Sequence, residues 1–180
     1  MSRLTVPTAP DERHRAAGFG AYEHALVRLK ARPPPFLRTP IGRSPTPSAV
    51  SLIRSTKLSN TAEYAYAATA PANARLIFLA GSCPLDEKGK TVGIGDFAHQ
   101  ARACIGNMVI ALEAAGAGIE DVISTRVLVA SSDQNDLVTA WNEVRTAFGS
   151  HDVPSTLLGT TVLGYENQLV EIEAIAAVVD

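Results

Sequence analysis

From Val50 onward, apolar and polar residues alternate in a pattern that marks out a short series of elements. SLIRS (51–55) and EYAYAATA (63–70) read as two strands. A Pro-Ala-Asn turn at Pro71–Asn73 leads into RLIFLAGS (75–82), whose apolar content predicts a buried strand. Asp96 is placed to cap a helix running through Ala115. Phe97, Ala101, Cys104, Ile105, Met108 and Leu112 recur along it at core-facing spacing, and Gly116 supplies its stop. ISTRVLVA (123–130) predicts a fourth strand. Asp133 opens a second helix with the stripe Leu137, Trp141, Val144 and Phe148, closed by Gly149. STLLGTTVL (155–163) and LVEIEAIAAVV (169–179) complete the order β-β-β-α-β-α-β-β. This is an α+β arrangement, a sheet with both helices on one face.

The last strand carries an anomaly. Glu171 and Glu173 interrupt one of the most apolar stretches of the chain. Strand side chains alternate, so both acids leave the same face about 7 Å apart, while Val170, Ile172 and Ala174 fill the other. The acids share their face with Leu169, Ile175 and Ala177. Two helices cover only one side of the sheet, so a face that is part apolar and part acidic is either poorly covered or buried in an oligomer, and the oligomer is the expectation.

Composition divides the chain in two. Residues 1–49 hold eight of the eleven prolines, including Pro33-Pro34-Pro35, and eight Lys/Arg against three Asp/Glu. Proline at this density blocks helix and sheet ladders, so the segment reads as a Pro/Arg-rich, disordered extension, with Ala21–Ala31 a marginal amphipathic helix. The alternative is a native start near Val50. Residues 50–180 form the folded domain and carry eight Lys/Arg against fifteen Asp/Glu. An acidic domain repels a phosphate backbone, which argues against nucleic-acid binding. No apolar run is long enough for a transmembrane helix, and no signal-peptide pattern is seen, so a cytoplasmic location is expected. Cys83 and Cys104 lack zinc or redox spacing, and neither His99 nor His151 has a ligand-like neighbour. The expectation is no metal site.

LIFLAGSCPLDEKGKTV (76–92), QARACIGNMVIALEAAGAGIEDVISTRVLVA (100–130) and VEIEAIA (170–176), in this order and spacing, resemble the RidA/YjgF family. The likeness covers nearly all of residues 50–180. It implies a chorismate-mutase-like α+β fold, a homotrimer with a small-molecule site in each intersubunit cleft, and no cofactor. The activity it implies is hydrolysis of reactive enamines and imines to a keto acid and ammonia. On the family pattern, Glu171 is the glutamate that handles water and Thr156 occupies the position of the carboxylate-clamping arginine. Asn142 matches the cleft asparagine and Gly81 the glycine of the Ser-Gly-Gln strand end, where Ala80 replaces the serine and Ser82 the glutamine. Leu158 takes a position whose carbonyl orients the water, and Tyr66 matches the N-terminal tyrosine one place out of register.

Thr156 offers one neutral hydroxyl where an arginine would offer two charge-assisted hydrogen bonds, so the expected substrate is an imine without the standard carboxylate. Each residue also has a structural alternative. Glu171 could pair with a neighbouring subunit's cation, Asn142 could face solvent, Tyr66 could be a sheet aromatic, and Cys83 could be an inert small residue. Three functions compete: an imine deaminase, a trimer that binds a metabolite without turnover, and a ribonuclease or translation inhibitor. The last needs a basic groove and ranks lowest.

Overall fold

The computed structural model describes residues 48–59, 61 and 64–179. The expectations for residues 1–47, the Ala21–Ala31 helix among them, lie outside the described residues. Among the described residues, six strands and two helices follow in the anticipated order: β1 (Ser51–Ile53), β2 (Ala67–Thr69), β3 (Arg75–Phe78), α1 (Phe97–Ala114), β4 (Val122–Val129), α2 (Gln134–Phe148), β5 (Ser155–Gly159) and β6 (Val170–Val178). A 3₁₀ turn, Ile119–Asp121, precedes β4.

Both helices begin where short acidic side chains can accept the first free backbone N–H groups. Asp96 accepts from His99 N and Asp133 from Asn135 N. They end before Gly116 (φ 77°) and Gly149 (φ 55°), whose left-handed backbone suits glycine. α1 buries Ala101, Cys104, Met108 and Leu112 as its spacing predicts, and also Gln100. α2 buries Val144 and Phe148 together with Ala140, and Leu137 and Trp141 of the predicted stripe pack half-buried against the same core.

β3, β6, β4 and β5 form one mixed sheet in that order. β4 and β5 are parallel, and the other pairs are antiparallel. β1 and β2 pair with each other as a separate two-stranded sheet rather than extending the main one. Tyr64–Tyr66, expected in β2, lie before it in irregular chain.

Val170, Ile172, Ala174, Ala176 and Val178 alternate along β6 into the core, where they join Val127, Val129 and the buried helix residues. The opposite face of the sheet is different. β3 is not the buried strand its composition suggests: Leu76 is 52% and Phe78 72% exposed, because they lie on the face without helices. Only Ile77 and Leu79 pack against the core.

Candidate active site

On this open face the strand registers bring the chemistry-bearing residues into rows. Arg126 of β4 pairs with Thr156 of β5 on one side and Glu173 of β6 on the other. One pleat further along, Leu128 lies between Leu158 and Glu171. The two acids of β6 therefore meet different neighbours. Glu173 forms an ion pair with Arg126, Nη1 to Oε2 at 3.0 Å. Glu171 faces the end of β3.

That strand end is irregular. Phe78 opposes Ile175 and Ser82 opposes Ile172, so four steps on the β3 side span three on β6. The extra residue makes a β-bulge, a device that re-aims neighbouring groups. Ser82 closes it with two backbone hydrogen bonds to Ile172, at 2.8 and 3.1 Å. Gly81 then lies directly beneath the Glu171 carboxylate, where a Cβ would overlap Oε1. Only glycine admits this approach.

Glu171 is half-buried, and its Oε2 accepts twice. Gln168 Nε2 donates at 3.0 Å and Cys83 Sγ at 3.6 Å. Gln168 is itself buried and fixed: Nε2 also donates to Val170 O and Oε1 accepts from Tyr165 N. Burial pushes the Cys83 thiol up to about 11. The Glu171 charge adds to that rise and the Gln168 amide opposes it. Cys83 is thus a protonated donor at neutral pH, not a nucleophile.

α1 anchors both flanks of this cluster through amide side chains. Gln100 accepts from Leu169 N at 2.7 Å and donates to Asn167 O at 2.9 Å, which fixes the Gly164–Gln168 turn. Asn107 donates to Cys83 O and Leu85 O, which fixes the loop after the bulge. Amides satisfied in this way, Gln100 buried and Asn107 half-buried, hold the backbone on both sides of the carboxylate in one geometry.

Two concavities adjoin Thr156. One, about 360 Å³, lies over the sheet between Gly81, Arg126, Glu173 and Phe78. The other, about 480 Å³, lies between β5 and α2, lined by Tyr64, Trp141, Arg145, Ser155 and Leu157. Tyr64 stacks edge-on against Trp141 at 5.9 Å and against Tyr66 at 6.4 Å. Of the two tyrosines, Tyr64 therefore lines a cavity, while Tyr66 is exposed and meets the Tyr64 ring edge. Asn142 is exposed on α2 and lines neither cavity of the single protomer. Leu158 is exposed beside Leu128. Among the described residues, no group of three or more His, Cys, Asp or Glu could hold a metal ion, and no helix is long and apolar enough to cross a membrane.

Gln168, Gln100, Asn107 and Tyr64 were not singled out by sequence reasoning. Gln100 alone left a signal, a polar residue beside the Ala101–Cys104 core stripe.

The mixed sheet, the two helices on one face and the bulge against the closing strand define a Rid-type α+β domain. Residues 55–178 match the family model described as endoribonuclease L-PSP. A RutC family protein of Pyrococcus horikoshii is 35% identical over 100 residues, 56% of this chain and 77% of that protein. A RutC family protein of Pyrococcus abyssi is 33% identical over 100 residues, 56% of this chain and 76% of its own. Among solved structures, a Rid family protein of unknown function from Yersinia pestis is similar with a TM-score of 0.64 at 22% identity, over 72% of this chain and 99% of its own. A protein described as a putative endoribonuclease from Thermotoga maritima gives a TM-score of 0.53 at 26% identity, over 65% and 87%. The chain belongs to the endoribonuclease L-PSP family, the group also called RidA/YjgF.

Proposed function

We propose that this protein hydrolyses a small reactive enamine or imine, with Glu171 as the proton-transfer group. The observation that carries this reading is the Glu171 carboxylate. One oxygen is held by Gln168 and Cys83, and the other lies over the Gly81 bulge, where it accepts no hydrogen bond from the described residues. A carboxylate fixed in this way can take a proton from water as the water adds to the C=N carbon. Returned to nitrogen, that proton completes a carbinolamine, and transfer of the carbinolamine's hydroxyl proton to nitrogen through the same carboxylate then lets ammonia leave as the C=O bond forms. The balance is one imine plus one water to one carbonyl compound plus one ammonia, so the reaction needs no cofactor. An enamine enters the same path after protonation on carbon.

The exposed apolar residues Leu76, Phe78 and Leu158 support a homotrimer in which a second copy covers the open face and completes the cleft. Leu158, Asn142 and Tyr66 would gain their contacts there, and Ser82 acts through its backbone. Two observations oppose a ribonuclease. His151 is tied to Val122 O at 2.8 Å, and neither His99 nor His151 lines either cavity beside Thr156.

The test is ammonia release from imines generated in situ by the full chain, with Glu171→Gln beside it. General acid–base loss of about 10²- to 10⁴-fold is expected in the variant. Wild-type rates no higher than buffer would refute the deaminase and leave a metabolite-binding trimer.

A further inference from the structure

We propose that Gln168 is a positioning residue for the proton transfer: its amide occupies Oε2 of Glu171 and leaves Oε1 as the oxygen that takes and returns the proton. The proton transfer rests on the deaminase reading above, whereas the link between amide and carboxylate stands on its own observations.

That link does not follow from strand geometry. Residues three apart in an extended strand point to opposite faces and lie about 10 Å apart. Gln168 nevertheless donates from Nε2 to Glu171 Oε2 at 3.0 Å. The Gly164–Gln168 turn makes this contact, for β6 begins only at Val170. Asn167 takes a left-handed backbone (φ 59°), and Gln168 N donates to Tyr165 O at 3.1 Å. Two groups from outside hold the turn: Gln100 Nε2 donates to Asn167 O at 2.9 Å, and Thr91 Oγ1 to Glu166 O at 2.8 Å.

The backbone also decides which end of the amide faces the carboxylate. Tyr165 N donates to Gln168 Oε1 at 3.0 Å, while Nε2 donates to Val170 O at 3.2 Å as well as to Glu171. With the amide reversed, N–H would meet N–H at one end and oxygen would meet two oxygens at the other. Gln168 is only 4% exposed, so water does not compensate for such a reversal. The donor end is therefore aimed before any substrate arrives.

The amide makes the two carboxylate oxygens unequal. Oε2 accepts from Gln168 and, at 3.6 Å, from Cys83 Sγ. A proton arriving there would displace a charge-assisted hydrogen bond. Oε1 is the carboxylate oxygen closest to Gly81, which also lines the 360 Å³ cavity. In the neutral acid Oε1 carries the proton, and the amide still donates to Oε2 as a carbonyl oxygen. One side chain thus holds the carboxyl plane in both protonation states, whereas the terminal torsion of an unanchored glutamate is broad.

The experiment measures kcat and KM for ammonia release by the full chain, with iodoacetamide labelling of Cys83 against pH beside it. Gln168→Met keeps the length of the side chain without the amide. It should lower kcat about 10- to 100-fold, the scale of a misplaced catalytic group, with KM changed less than about three-fold. Gln168→Glu keeps the acceptor for Tyr165 N and replaces only the donor. It should show a loss of the same order, and it serves where Gln168→Met does not fold. In Glu171→Gln/Gln168→Met, ammonia release should be no slower than in Glu171→Gln, because Gln168 acts through that carboxylate. A merely structural glutamine predicts that the two losses multiply.

The labelling reads the amide without turnover. Burial pushes the Cys83 thiol up to about 11, Glu171 adds to the rise and the Gln168 amide opposes it, so the midpoint should move higher in Gln168→Met. An unchanged kcat in Gln168→Met, multiplied losses in the double variant or a midpoint that does not rise overturns the proposal. If the wild type releases no ammonia, the deaminase reading fails and the labelling decides alone: a rise upholds the amide's place on the cluster, and no rise removes it.

Discussion

The two faces of the four-stranded sheet come from the same strands but obey different rules. Toward the helices, β6 presents Val170, Ile172, Ala174, Ala176 and Val178, all buried, with no polar side chain among them. Toward the open side the same strand presents Glu171, Glu173 and Ile175, flanked by Arg126, Thr156 and Leu158. The first face is specified by volume and closes on itself. The second is specified by register, bulge and hydrogen bonds, and its apolar members remain exposed in one chain. Stability and chemistry are thus separated by a single residue step along each strand.

This separation can be attacked from either side. The largest expected effect is on the open face, the loss of turnover in Glu171→Gln. On the closed face, Ile172→Ala removes a fully buried side chain and should cost about 2–5 kcal/mol in urea unfolding. Leu158→Ala, one strand pair away on the other face, should leave protomer stability within about 1 kcal/mol. If that variant instead destabilises as much as Ile172→Ala, the open face is part of a permanent core.

Gly81→Ala sits between these extremes. The added methyl must push the end of the flexible Glu171 side chain from its place, so turnover should fall about 10- to 100-fold while stability changes by less than about 1 kcal/mol. Unchanged activity would mean that the carboxylate geometry over the bulge is irrelevant.

The smallest effect is a titration. The Cys83 thiol is pushed up to about 11 from 9.0 by burial, with Glu171 contributing. Its folded pKa is raised, so between those values the unfolded chain has released a proton that the folded chain retains. The stability this provides is full below pH 9 and is lost as pH rises through 11. Iodoacetamide labelling of Cys83 should therefore reach half its maximal rate near pH 11, with buried Cys104 lagging. In Glu171→Gln the midpoint should fall, because the neighbouring negative charge is gone. An unmoved midpoint would mean that the two groups do not sense each other.

The closed face was legible in the sequence because helical periodicity and strand alternation report burial directly. Both helices, their Asp96 and Asp133 caps and the alternating strand β6 emerged at nearly their observed bounds. The open face was only half legible. The parity of Glu171 and Glu173 was visible within one strand, but their different partners depend on how β6 registers against β3 and β4, and no single strand encodes that. For the same reason Arg126 could not be placed beside Thr156. The bulge at Ala80–Gly81 was hidden in an apolar run, and the chain before β2 turns Tyr64 rather than Tyr66 toward a cavity. The amides of Gln100, Asn107 and Gln168 look like ordinary polar residues until the groups they bind are known.

The central claim is that two acids on one strand have separate roles. The most direct test compares ammonia release by the full chain, by Glu171→Gln and by Glu173→Gln on one imine at saturating concentration. Turnover at least 100-fold lower in Glu171→Gln and less than ten-fold lower in Glu173→Gln is the predicted result. Equal losses in the two variants, or no loss in Glu171→Gln, would contradict it.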